Sequence, residues 1–223
     1  MSEIPAYTPA NNQIRQGQLF IISAPSGAGK TTLVRQLTES ISDICISVSH
    51  TTRPQRQGET DGIDYFFIDD EQFNAMVEEN LFLEHARVFD HHYGTSQAAV
   101  EQQLAAGFDV ILEIDWQGAQ QVRTRIPNNI SIFIAPPSYD SLAQRLHNRG
   151  REDTATIARR LEEAVDELSH YQEYDYLVVN DQIERALSQM LTIVVAARLR
   201  VECRRPALDG FIQALIAQAR QIQ

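Results

Sequence analysis

Short apolar runs alternate with amphipathic stretches along most of this chain. Residues 18–23 (QLFIIS), 45–49 (CISVS), 109–115 (DVILEID), 131–135 (SIFIA) and 176–180 (YLVVN) are largely apolar and rich in β-branched residues. Runs of that length without strict alternation predict strands buried on both faces. Between them, residues 30–40, 117–125, 138–147, 156–171 and 182–203 place apolar positions at helical spacing. Pro206 is expected to stop the last of these helices, leaving a short terminal helix beyond it. Strands alternating with helices predict a three-layer α/β core around a parallel sheet.

Residues 50–96 break this rhythm. They are rich in charges and aromatics, with turn signals at Pro54, Gly58 and Gly62. Strands are predicted at 65–68 and 82–89, with a short helix over 70–79 between them. The segment therefore reads as a small, mostly antiparallel subdomain inserted into a core made of residues 17–49 and 97–206. Residues 1–16 read as a flexible leader and 207–223 as a C-terminal helix.

Composition narrows the function. The 223 residues carry 19 basic and 30 acidic side chains, a formal charge of −11. A chain this acidic is unsuited to coating nucleic acid or an anionic membrane, so neither is expected as a partner. No apolar stretch approaches the roughly 18 residues that cross a bilayer, and the start of the chain has no signal-peptide pattern. Two distant cysteines, Cys45 and Cys203, form no disulfide scaffold. The expected location is the cytoplasm. His91 and His92 are adjacent, so on a strand they would point to opposite faces and could not chelate one metal together. Eighteen of the nineteen basic residues are arginine, and the single lysine is Lys30.

Lys30 lies in the most informative segment, Ala24-Pro25-Ser26-Gly27-Ala28-Gly29-Lys30-Thr31-Thr32. It follows a predicted strand and opens a predicted helix, as a nucleotide phosphate loop requires. Glycines let successive N–H groups turn inward at an anion, and the helix N-terminus adds its own free donors. Lys30 can reach the β- and γ-phosphates, and the Thr31 hydroxyl can ligate Mg²⁺. Residues Ser26 to Thr32 are thus the candidate ATP cradle. The usual first glycine is Ala24 here, which is tolerable if that residue keeps a negative φ.

Downstream, Ser49-His50-Thr51-Thr52-Arg53-Pro54-Gln55-Arg56-Gln57-Gly58-Glu59 carries two arginines three apart. Taken alone this is either a bidentate fork on a phosphate or a solvated basic turn. Together with Asp64-Tyr65-Phe66-Phe67, Tyr93-Gly94-Thr95-Ser96, LEIDWQG (112–118) and IAPPS (134–138), it resembles guanylate kinase over residues 18–203. The resemblance implies a P-loop kinase core, a GMP-binding insertion, a helical lid over 145–160, and phosphoryl transfer from ATP to GMP or dGMP with Mg²⁺. By the same resemblance Arg53 and Arg56 grip the GMP phosphate, with hydroxyls from Tyr65 and Tyr93, while Ser49, Glu84 and Thr95 face the guanine. A carboxylate at Glu84 suits guanine, whose N1–H and exocyclic amine both donate, whereas adenine N1 accepts. Glu113 and Asp115 become acceptor-site or Mg²⁺–water partners, although a purely structural hydrogen-bonding role for Glu113 stays open. Thr95 and Glu113 stand where the family more often has serine and aspartate.

Past residue 144, Arg145, Arg149 and Arg160 match the lid arginines of the family, and Asn180 its adenine-side asparagine. The implied catalytic set is Lys30, Arg53, Arg149 and Arg160. Partners are then the two nucleotides, with a second copy of the chain as a further candidate. Two other functions compete: a non-catalytic guanylate-kinase-like scaffold module, and a kinase for another phosphorylated acceptor. The intact Lys30, Thr31, Arg149 and Arg160 oppose the first, and Ser49, Glu84 and Thr95 oppose the second.

Overall fold

The computed structural model describes residues 16–88, 90–148 and 154–221. Elements in chain order are β1 (Leu19–Ser23), α1 (Lys30–Ser40), β2 (Ile44–Ile46), β3 (His50–Thr51), β4 (Phe66–Phe67), α2 (Asp70–Glu78), β5 (Phe82–Val88) and β6 (His91–Ser96). They continue with α3 (Gln97–Ala105), β7 (Asp109–Glu113), α4 (Trp116–Arg125), β8 (Asn129–Ala135), α5 (Tyr139–Asn148), α6 (Thr154–Ser169), β9 (Tyr176–Val179), α7 (Ile183–Arg198) and α8 (Val201–Gln221).

The core sheet is parallel, in the order β2-β7-β1-β8-β9. Its central strand shows why the apolar runs do not alternate with polar positions. Phe20 and Ile22 pack with Leu33, Val34 and Leu37 of α1 and Met190 and Val194 of α7. Leu19 and Ile21 pack on the opposite face with Val100 of α3 and Ala119 and Val122 of α4. Both faces of β1 are dry, so Leu19 to Ile22 are all apolar, and the buried Ser23 that follows hands its hydroxyl to the Ile114 carbonyl at 2.7 Å.

The insertion forms a second sheet, β4-β3-β6-β5, antiparallel at β3–β6 and β5–β6 and parallel at β3–β4. α5 and α6 have a small core of their own, Leu142, Leu146, Ile157 and Ala164. No helix among the described residues is long and apolar enough to cross a membrane.

Four details differ from the pattern expected of the sequence. The strand expected at 45–49 ends at Ile46, after which the chain crosses to the second sheet. β6 reads HHYGTS and α3 has a single buried residue, Val100, so neither displays an apolar period. Asp115 is not a strand residue but the N-cap of α4, accepting the Gly118 N–H at 2.8 Å. Pro206 does not stop a helix. α7 ends at Arg198, where Leu199 and Arg200 bond three residues back to Ala196 and Ala197, and α8 then runs through Pro206. In its second turn the proline removes one intrahelical bond, which the rest of a 21-residue helix tolerates. Phe89 and residues 1–15 lie outside the described residues.

α7 is fastened to the sheet by a buried ion pair. Asp109 is fully buried, accepting from the Gln18 N–H at 2.8 Å and from Arg198 Nε at 2.7 Å. Arg198 also bonds the carbonyl of Ser42 at 2.7 Å. Removing the cation takes an ion-pair partner from the buried Asp109, so Arg198→Ala should cost about 3–5 kcal/mol of unfolding free energy, measured by denaturant titration. A loss below about 1 kcal/mol would show that this pair does not fasten α7.

Candidate active site

The carboxyl ends of β1 and β7 are neighbours, because Ile22 pairs with Glu113. The phosphate loop leaves β1 there and bends back into α1. Gly27 and Gly29 adopt φ of 92° and 95°, a conformation that side chains disfavour. The non-glycine residues with positive φ, among those described, are Asp43, Asn80 and Asp90, so Ala24 keeps the negative φ it needs. Gly29 caps α1 without a side-chain bond, so the helix's first N–H groups are left for a ligand. Lys30 is half-buried, and Thr31 and Thr32 are exposed.

Arg145 and Asn180 stand behind this loop. Asn180 Nδ2 donates to the Ala28 carbonyl at 2.7 Å. Arg145 donates to the same carbonyl at 3.2 Å and to the Asn180 carbonyl at 3.3 Å. Both therefore brace the cradle. Gly29 leaves room for them, since a Cβ there would lie 2.5 Å from Asn180 Nδ2.

On the acceptor side Arg53 is only 8% exposed, although it is a cation. Glu59 makes this tolerable by taking Arg53 Nη1 and Nη2 at 3.1 and 2.7 Å. Burial alone would depress the Arg53 pKa, but the Glu59 carboxylate and the Tyr93 hydroxyl outweigh it and raise it. The guanidinium also lies over the Tyr65 ring, whose centroid is 5.3 Å away, and the rings of Tyr65 and Tyr93 meet at 6.0 Å. Glu59 takes the Arg56 backbone N–H at 2.7 Å as well, leaving the Arg56 side chain exposed. The segment 53–59 is thus a closed turn presenting two arginines.

Glu84 is 3% exposed and accepts the hydroxyl of Thr95, itself fully buried, at 2.5 Å. Burial raises its pKa to about 7, helped by the nearby Asp115 charge and opposed by Thr95. The folded state holds this proton more tightly than the unfolded chain, so its contribution to stability declines as pH rises from about 4.5 to 7. Ser49, half-buried ahead of β3, carries its backbone carbonyl to the Phe66 N–H. Glu113 ends β7 half-buried, close enough for its charge to raise the Tyr65 pKa, which burial raises first.

The insertion and α6 face each other across a cleft of about 410 Å³, lined by Arg53, Pro54, Arg56, His91, Tyr93, Arg159 and Arg160; neither the phosphate loop nor Glu84 is part of its lining. Four guanidinium groups from two separate segments line one space, as a site for adjoining phosphates requires. Arg149, expected in the lid, lies outside the described residues.

Comparison with known proteins accords with this geometry. The family model for guanylate kinase matches residues 16–197. The chain belongs to the guanylate kinase family. It is 54% identical to the guanylate kinase of Legionella pneumophila over 83% of this chain and 89% of that one. It is 53% identical to the Methylococcus capsulatus guanylate kinase over 90% and 98% of the two chains. The crystal structure of the guanylate kinase from Anaplasma phagocytophilum superposes with a TM-score of 0.72 at 32% identity, covering 88% of this chain and 96% of that one.

Sequence reasoning overlooked four residues, two beside Arg53 and Glu84 and two at the cleft. Arg159 and His91 line it. Glu59 was in plain view inside the TTRPxRxGE string, but its task of carrying Arg53 is visible only in three dimensions. Gly118 is helical, so its backbone does not require glycine. The space does: a Cβ there would lie 2.5 Å from Glu84 Oε2. Gly118→Ala should push the Glu84 carboxylate aside and raise KM for the acceptor nucleotide about tenfold, the effect of roughly 1.4 kcal/mol of overpacking. KM for the donor should stay put and unfolding stability should change little, because the helix preference of alanine, about 1 kcal/mol, offsets most of that overpacking. Equal changes in both KM values would contradict this.

Proposed function

We propose that this chain transfers the γ-phosphoryl group of ATP to GMP or dGMP, giving ADP and GDP or dGDP. The observation that carries the acceptor's identity is the buried Glu84–Thr95 pair. A carboxylate enclosed at 3% exposure must find donors, and guanine offers two side by side. Adenine would set its N1 lone pair against the carboxylate and is rejected.

The residues divide the work by position. Ser26 to Thr32 wrap the donor phosphates, with Lys30 between the β- and γ-groups, and Arg145 and Asn180 hold the loop from behind. Arg53 and Arg56, with Tyr65 and Tyr93, orient the acceptor phosphate for in-line attack, and Ser49 joins Glu84 and Thr95 at the base. Arg160 and Arg149 close from the lid and neutralise charge developing on the transferred group. Little covalent chemistry is required of the protein in such a reaction, so positioning and cationic stabilisation account for the rate. Closure also excludes water, which would otherwise hydrolyse ATP.

The donor set near the loop suits Mg²⁺. The Thr31 hydroxyl is exposed beside Lys30, and Asp115, with Glu113 behind it, offers hard carboxylate oxygens at the end of β7. Thr31 would ligate the ion directly and Asp115 through water, and the bound ion would neutralise the β- and γ-phosphate oxygens. The cytoplasm, where both nucleotides are plentiful, is the place of action.

A coupled assay of ADP release should show turnover with GMP and dGMP and little with AMP, CMP or UMP. Absence of turnover with all five would exclude the kinase, and preference for AMP would exclude the role of Glu84. Glu84→Gln should weaken GMP discrimination by on the order of 1–3 kcal/mol. Guanine binds the ionised carboxylate, so GMP affinity should rise as pH rises through about 7 in wild type more steeply than in Glu84→Gln.

A further inference from the structure

Glu167 has no part in the function proposed above, yet it touches the phosphate loop. Its Oε2 accepts the backbone N–H of Ser26 at 3.2 Å. The charged groups that face it are Lys30 from α1, Asp115 from the cap of α4 and Glu163 from its own helix. A phosphate loop collects inward N–H groups and an ammonium, which repel one another unless an anion sits among them. Glu167 supplies an anion from the protein itself.

Its helix is well fixed. Three residues on, His170 stacks on Trp116 with ring centroids 3.7 Å apart and bonds Glu173 at 2.5 Å. Trp116 follows Asp115 directly. Seven residues earlier on α6 is Arg160, which lines the acceptor cleft. Two helical turns, about 10 Å, separate these positions on one helix face. One rigid element thus joins the lid cation to the donor loop.

We propose that Glu167 is a positioning residue for the phosphate loop, holding Ser26 and Lys30 ready for the donor, and that the ATP triphosphate binds with uptake of a proton from solvent onto the Glu167 carboxylate. This rests on the assignment of Ser26 to Thr32 as the ATP cradle. The carboxylate has little reserve against a second anion. Burial first, then Asp115 and Glu163, raise its pKa to about 7, against the opposing pull of the Ser26 N–H and Lys30. Mg²⁺-free ATP set beside it is an uncompensated polyanion and raises the pKa further, so that complex is protonated where the free enzyme is partly ionised. ATP affinity should therefore fall as pH rises through about 7. GMP affinity, set by Glu84, should move the opposite way.

Isothermal titration of Mg²⁺-free ATP into the full chain tests this, in two buffers of different ionisation heat at pH 7.5 and across pH 6–8.5. Glu167→Gln keeps an acceptor oxygen for Ser26 without the charge, and comparison with it cancels the titration of ATP itself. Wild type should take up more protons than Glu167→Gln, and the variant should bind ATP roughly three- to tenfold more tightly at pH 8, converging with wild type at pH 6. Glu167→Ala, which leaves Ser26 unpaired, should raise KM for ATP at pH 6, whereas Gln restores it and KM for GMP is unchanged in both. Equal proton uptake and equal pH profiles in wild type and Glu167→Gln would overturn the proposal alone. Failure of wild type to bind ATP would overturn the phosphate-loop assignment and the proposal with it.

Discussion

Parallel alignment in the core sheet is the constraint from which the rest of this structure follows. Because β1, β7, β8 and β9 all run the same way, their carboxyl ends share one edge. The phosphate loop leaves that edge from β1, Glu113 and Asp115 from β7, and Asn180 from β9. Residues 152 apart in sequence, Ala28 and Asn180, are brought within 2.7 Å by that geometry. The crevice beyond the strand ends is where an open α/β sheet accepts ligands. The inserted subdomain and α6 line a cleft between them.

Electrostatics within the crevice is finely divided. A chain with a formal charge of −11 must hold two polyanions next to each other. Arginines from the insertion and from α6 face a single space, while Glu59 keeps one of them, Arg53, charged although buried. Asp115 couples two other acids through its charge. Its own oxygen is engaged by the first turn of α4, and its charge raises the pKa of both Glu84 and Glu167. Two carboxylates poised at about 7 therefore flank one that caps a helix. They meet opposite demands. On the roles proposed for them, Glu84 gains by ionising to meet the donors of guanine, whereas Glu167 gains by losing its charge beside the donor phosphates.

Glu84 also shows how a single residue depends on several elements. β5 carries it, β6 supplies Thr95, and the bare backbone of Gly118 on α4 gives it room. Specificity at such a site comes from enclosure rather than from the carboxylate alone. An exposed glutamate would accept from water as readily as from guanine.

Local chemistry made much of this legible in the sequence. The phosphate loop is a contiguous string whose glycines, lysine and threonine act on neighbouring atoms, so its role survives without tertiary information. Uninterrupted apolar runs gave the parallel sheet, because burial on both faces removes alternation. The resemblance of TTRPxRxGE and LEIDWQG to one family named the acceptor. Polar β6 and weakly amphipathic α3 were invisible, since the neighbours that stabilise them come from β5, β3 and β7 rather than from their own pattern. Pro206 misled because proline's cost depends on its place in a helix, which its identity does not state. Glu59, Gly118 and Glu167 carried no signal of their roles, for each acts on a residue that only folding brings near. The sequence by itself determined the loop chemistry, the sheet and the family. The tertiary structure alone decided which charges share a space and which carboxylates are shielded from water, because pKa and repulsion depend on distance and burial, and neither exists along the chain.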